Sequence, residues 1–336
     1  MYEAIRLAPL LLVHQGLAFF MMYSKPYLTI PQQITLLRTR GMLVEDDAKA
    51  SEYLRRIGYY RLSAYWHPMR RRDPSNGVVQ DEFTEGTTFK EATDLYTFDG
   101  RLRLIMLDAL ERIEVSLRTE VALTLGARAP KAHRDLRNFD IKFSRPTSGK
   151  GSASKHRVWL GKLDDRFMKS KDQFAEHFRT KYPSDDMPIW IAVELLDFGP
   201  LSHLISGMKY ADRKQIGQSY RGVDANQLAS WAHSLAYTRN VCAHHSRLWN
   251  KPLVNQPALS GRKTPSDMIH VRSAPGAHTR FYAIACVARY MLRDANPRTS
   301  WHERFKKHID TFPTSPRLSL ASAGFPENWS DQPLWN

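Results

Sequence analysis

Asp224-Ala225-Asn226-Gln227-Leu228-Ala229-Ser230-Trp231-Ala232-His233-Ser234-Leu235-Ala236-Tyr237-Thr238-Arg239-Asn240-Val241-Cys242-Ala243-His244-His245 is the stretch whose reading decides the fold. Leu228, Trp231, Leu235, Thr238 and Cys242 alternate three and four apart, which draws one buried seam along a helix. Asp224 caps it, and Gln227, three residues on, is placed to reciprocate, so its start is well specified. With about 100° between successive residues, Arg239 falls beside the seam, while Asn240 and His244 share another face as an i, i+4 pair. A guanidinium at the margin of a packed face needs an anion. Glu111 or Glu114 from another helix can supply it, and so can a bound phosphate.

Outward from this helix the punctuation stays helical. Pro31 before Gln32 to Arg40 and Gly41 marks a Pro-start, Gly-stop helix; Asp46 or Asp47 caps a second that stops before Gly58. His67 to Thr88, with Pro74, Asn76 and Gly77, reads as loop or short hairpin. A long helix is expected from about Leu95 to Leu125, ending at Gly126, with Leu102, Ile105, Met106, Ala109, Ile113 and Leu117 on its apolar face. After Pro188 come helices at Ile189 to Leu196, Leu201 to Met208, Asp224 to about His245 and His278 to Asp294, and Ser300 with Glu303 opens one more. The tail from Phe312, rich in Pro, Ser and Trp, is expected to lie irregularly over the surface. The fold class is all-α.

At 336 residues the chain can bury a full core. Its 49 Lys and Arg against 34 Asp and Glu leave a net charge of +15, which suits a polyanionic partner such as nucleic acid. The excess is concentrated: residues 128–181 hold fifteen Lys and Arg against six Asp and Glu. Their middle, Ser144 to Ser154 with Pro146, Gly149 and Gly151, reads as a mobile loop, and the segment as either solvated surface or a phosphate-tracking rim. Cys242 and Cys286 alone exclude a disulfide framework or thiolate zinc site, and point to a reducing cytoplasm. None of the thirteen His sits in a zinc spacing, so no metal or other cofactor is expected. Ser148-Gly149-Lys150-Gly151-Ser152 lacks the first Gly and the final Ser or Thr of a P-loop, which disfavours a nucleotide triphosphatase. The apolar run Leu7 to Met22 is broken by Pro9, His14, Gln15 and Gly16 and is shorter than the ~20 residues of a bilayer span. It reads as an N-terminal extension.

Arg239-Asn240-x-x-x-His244 resembles the R-x(4–6)-H signature of HEPN-superfamily ribonucleases, with the polar residue directly after the Arg. The wider stretch Leu228 to Asn250 is similar to the abortive-infection (Abi, AbiD/AbiF-type) branch. So are Ile57-Gly58-Tyr59-Tyr60-Arg61-Leu62-Ser63-Ala64-Tyr65-Trp66, Leu110-Glu111-Arg112-Ile113-Glu114 and Gly324-Phe325-Pro326-x-Asn328-Trp329. The resemblance spans about Lys25 to Trp335; residues 1–21 fall outside it and the basic segment matches poorly.

It implies a HEPN-like helical bundle over residues 91–312, including basic segment 128–181. An N-terminal helical region (25–90), an extension (1–24) and an irregular tail (313–336) complete the chain. It also implies a homodimer whose two motif copies form one metal-independent ribonuclease site, with Arg239, Asn240 and His244 catalytic and a 2′,3′-cyclic phosphate as product. His244 would shuttle protons, Arg239 hold the phosphate and Asn240 orient either.

Around this centre His245 and Arg247 are candidate phosphate contacts, with helix capping as the plain alternative. Tyr59 and Tyr60 are candidate base-stacking residues and otherwise core; Arg70, Arg71 and Arg72 are RNA contacts or a solvated charge run; Glu111 and Glu114 support Arg239 or pair elsewhere. Two functions emerge: a phage-defence, toxin-like endoribonuclease, and a non-catalytic module that grips a structured small RNA.

Overall fold

The computed structural model describes residues 26–146, 152–259 and 263–336, so the Leu7 to Met22 run and Gly149 and Gly151 of the basic segment lie outside the described residues. The architecture is all-α around one long pillar. Helices α1 (Ile30–Thr39), α2 (Asp47–Ile57) and α3 (Tyr59–Trp66) open the chain, followed by a hairpin of β1 (Arg70–Arg72) and β2 (Val79–Phe83). Its strands pair antiparallel, Arg70 with Phe83 and Arg72 with Val79.

The pillar, α4 (Phe89–Gly126), runs 38 residues, or about 57 Å. Its start is pinned by a capping box: Glu91 N–H donates to Thr88 Oγ1 at 3.1 Å, and Thr88 N–H donates to Glu91 Oε2 at 2.8 Å. Leu95, Leu102, Met106, Ile113, Leu117 and Val121 are buried along it. That face meets α3, α11 and α13, whose bounds follow.

Residues 128–181 are more ordered than a loop-rich segment. They form α5 (Ile141–Ser144), α6 (Lys155–Lys169) and α7 (Gln173–Lys181). Trp159, Leu163 and Phe178 face inward while the cations face out, so dense Lys and Arg hide two amphipathic helices from a composition-based reading. Then come α8 (Ile189–Ala192), α9 (Phe198–Gly207), α10 (Tyr210–Gln218) and α11 (Ala225–Ala243). All five seam residues of α11 are buried. Its start differs from expectation: Asp224 accepts from Asn226 N–H at 3.0 Å and bonds Tyr210 and Lys263, while the buried Gln227 amide has no partner. Gln227 points into the core and cannot reach back.

Helices α12 (Ile269–Ser273), α13 (Phe281–Ala295) and α14 (Trp301–Ile309) finish the bundle. Every residue of α13 from Phe281 to Leu292 is buried, so it is a core rod. The tail does not lie over the surface. Phe325, Trp329, Leu334 and Trp335 are buried; Trp335 Nε1–H donates to the Tyr282 hydroxyl oxygen at 3.1 Å and Arg289 Nε–H to Leu334 O at 3.1 Å. Apolar area removed from water by these rings, at roughly 25 cal/mol per Å², outweighs the Pro and Ser content that suggested a surface strand. Among the described residues no helix is long and apolar enough to cross a membrane.

Candidate active site

Helix α11 delivers Arg239, Asn240 and His244 to its C-terminal turn. Arg239 is half-buried against α4, where its Nε lies 3.6 Å from Glu114 Oε2 and its Nη2 3.7 Å from Asp197 Oδ1, just before α9. Both separations exceed a hydrogen bond, so charge retains the guanidinium without directional bonds locking it. Glu114 is shared with Arg118, which donates to Oε1 at 2.6 Å and to Leu196 O at 2.7 Å. Asp197 is shared with Arg166 of α6 at 2.6 Å. Burial pushes the Glu114 carboxyl above its ordinary value, Asp197 adds to that, and Arg118 and Arg239 oppose it. Glu111 is exposed and forms no ion pair with Arg239, the carboxylate that α4 presents to it being that of Glu114.

Asn240 and His244 are exposed, and their side chains donate to and accept from nothing else in the described protein. His244 closes the helix, its N–H bonded to Asn240 O at 2.9 Å. His245 follows with φ +55°, in the left-handed region. The Ser246 N–H reaches Val241 O at 3.0 Å and the His245 N–H reaches Cys242 O at 3.1 Å, the two bonds of a Schellman motif, whose left-handed position is usually Gly.

The strand after the helix is clamped from below. Asp99 of α4, fully buried, accepts from Trp249 N–H at 2.8 Å, Leu248 N–H at 3.1 Å, Tyr65 O–H at 2.8 Å and Arg103 at 2.5 Å. Burial raises its carboxyl pKa, against the pull of these donors. Arg61 donates to His245 O at 2.7 Å, and Arg247 turns inward to Ala64 O. Arg247 thus acts as a strut, half out of solvent, which corrects its reading as a surface phosphate contact.

Tyr59 is likewise not free to stack. Its ring meets Trp66 edge-on at 5.1 Å and its hydroxyl accepts from Arg40 at 3.3 Å. Tyr60, 92% exposed, is free. Arg70 is bound to Asp81 at 3.0 Å and Arg72 to Gly77 O at 3.3 Å, while Arg71 is exposed. His67 lies within the fields of Arg70, Arg247 and Arg72; burial first, and these cations next, lower its pKa. The sequence reading missed Arg118, Asp197, Arg166 and Asp99. Only Arg118 leaves a local signal, its i, i+4 spacing from Glu114. Among the described residues no group of three or more His, Cys, Asp or Glu is placed to hold a metal.

Fold and site together define an all-helical protein that gathers a loosely held guanidinium, a carboxamide and an imidazole at one helix end, a set able to bind an anion and exchange protons. The chain belongs to the Abi-like protein family, whose model matches residues 52–250, from α2 through the clamped strand. No curated protein and no solved structure matches it.

Proposed function

We propose that the protein is a metal-independent endoribonuclease of the abortive-infection type, acting in the cytoplasm as a toxin-like effector in phage defence. The observation that carries this is the pairing of a guanidinium held at 3.6 and 3.7 Å, beyond hydrogen-bond reach, with the unpartnered His244 one turn on. A scissile phosphate entering the site accepts the bidentate bonds that the two carboxylates do not take. His244 removes the 2′-hydroxyl proton or protonates the leaving 5′-oxygen, and Arg239 balances charge on the phosphorane oxygens. Asn240 orients either group. One imidazole cannot serve both proton transfers at once, so a homodimer supplies two.

The carboxylate pairing of Arg239 also favours a second reading, a non-catalytic module that binds a structured small RNA. Purified protein incubated with RNA in EDTA separates them. Ribonuclease action predicts fragments ending in 2′,3′-cyclic phosphate, lost by about 10²–10⁴-fold in His244→Ala and also lost in Arg239→Ala. His244→Ala keeps the wild-type melting temperature because that side chain is exposed. Cutting that persists in both variants sinks the proposal; tight binding with intact RNA supports the module.

A further inference from the structure

A cleft of about 750 Å³ opens between α5, α6 and α9, inside the range of roughly 300–1,000 Å³ typical of small-ligand sites. Five cations line it, Lys142, Lys155, Lys162, Arg166 and Arg213, against the single acid Asp140. The three lysines form no ion pair among the described residues. Arg213 is stranger: its residue is only 8% exposed, and its guanidinium donates to Met208 O at 2.6 Å, Ser206 O at 3.0 Å and Asn226 Oδ1 at 3.4 Å. No carboxylate pairs with it in the described protein, and its Nε has no partner at all. A buried charge without a counter-ion is costly, so an anion from outside is the missing member.

Apolar surface lies between these cations, since Trp159 shares one face of α6 with Lys155 and Lys162. Phe143, Trp159 and Pro200 contribute to it, and Trp159 is held in place by its Nε1–H bond to Pro200 O at 3.0 Å. Cations interleaved with aromatic surface in one cleft match a ligand that carries both a phosphate and a planar ring. Arg166, on the rim, shares Asp197 with Arg239, so one carboxylate separates the cleft from the candidate catalytic arginine.

We propose that this cleft binds one nucleotide of an RNA strand, its base against the Phe143 and Trp159 wall and its phosphate on Lys155, Lys162 and Arg213, while the strand continues to Arg239. This rests on the ribonuclease reading for the strand's path, and on the cleft's own chemistry for the nucleotide.

The test uses full-length His244→Ala protein and a fluorescent pentaribonucleotide, followed by anisotropy across a salt series. Lys155→Ala with Lys162→Ala weakens binding about tenfold and lowers the salt slope by up to about 0.7, the value for one lost phosphate contact on a single strand. Val158→Trp, at an exposed position on the cleft wall, fills the space and weakens binding without changing the slope. Affinity unchanged in both variants overturns the assignment, as does an abasic oligomer that binds as tightly as the parent. AMP binding lost in the variants with oligomer affinity intact also overturns it, because the ligand is then a free nucleotide. Wild-type protein that leaves RNA whole yet binds through the cleft defeats the ribonuclease reading alone; wild-type cutting with variants that bind and cut as before defeats the cleft alone.

Discussion

His245 occupies a backbone position that most side chains avoid, at φ +55° in the turn that ends α11. A left-handed residue with a Cβ costs roughly 1–2 kcal/mol relative to its relaxed alternatives, and Gly, the usual occupant, recovers part of that while adding disorder to the unfolded chain. His245→Gly therefore raises unfolding stability by up to about 1 kcal/mol, read as a higher urea midpoint, and leaves the Arg61 bond to the residue 245 carbonyl in place. A lower midpoint would mean that the imidazole packs where it is drawn exposed. Much of this residue-level picture was legible beforehand. Helical phase put Arg239 beside the seam, since that depends only on 100° steps along one helix; its partner was left open between Glu111, Glu114 and a bound phosphate, and Glu114 is the one that meets it. Asp197 and Arg166 were not legible, because Asp197 reaches Arg239 from just before α9 and Arg166 reaches Asp197 from α6, and no local spacing encodes how those elements lie against α11. His245 and Arg247 show the other limit: adjacent polar letters read alike, yet one turns out to solvent and the other spans inward to Ala64.

The position of α11 depends on a close approach at its upstream corner. Gly217 near the end of α10 faces the Val223 carbonyl, and a Cβ on it would overlap that backbone oxygen, which has no rotamer to change. Gly217→Ala forces α10 and α11 apart and is expected to cost about 1–3 kcal/mol, seen as a lower urea midpoint with an unchanged slope. Gly161 in α6 meets nothing within 4 Å. There the same substitution adds helix propensity and stabilises by roughly 0.5–1 kcal/mol. Opposite signs for one chemical change test the corner directly; equal signs would show that α10 yields without strain. Elements with strong punctuation, such as α1, α2, α11 and the Gly126 end of α4, could be read in advance because Pro, Gly and Asp act locally, whereas α4 starts at Phe89, six residues before the expected Leu95. Helices α3 and α10 are eight and nine residues long, too short for periodicity to stand out, and exist through tertiary packing. The aromatic tail misled for the same reason: its rings are buried by helices far away in the chain.

At the scale of the whole molecule, the interior stores imidazoles in their neutral form. His133 is fully buried with neither ring nitrogen bonded, and burial, helped by Arg134 and His156, lowers its pKa to about 3. His156 and His308, also buried, are shifted downward as well, burial leading in each. A group with a depressed folded pKa lends stability that is complete above its unfolded value of 6.5 and drains away as pH falls toward the folded one. For His133 alone the loss runs at about 1.4 kcal/mol per pH unit below 6.5, or about 2 kcal/mol between pH 6.5 and pH 5, and His156 and His308 add in the same direction. The net charge of +15 gives a competing account, since self-repulsion also grows as carboxylates protonate. Salt separates the two. Repulsion between surface charges fades when the Debye length shrinks to about 3 Å at 1 M, whereas the cost of charging an imidazole inside the core remains. Urea midpoints measured at pH 7, 6 and 5 should therefore fall steeply at both 0.1 M and 1 M salt, and His133→Leu should flatten the decline. A decline abolished by 1 M salt and untouched by His133→Leu would place the acid sensitivity on the surface.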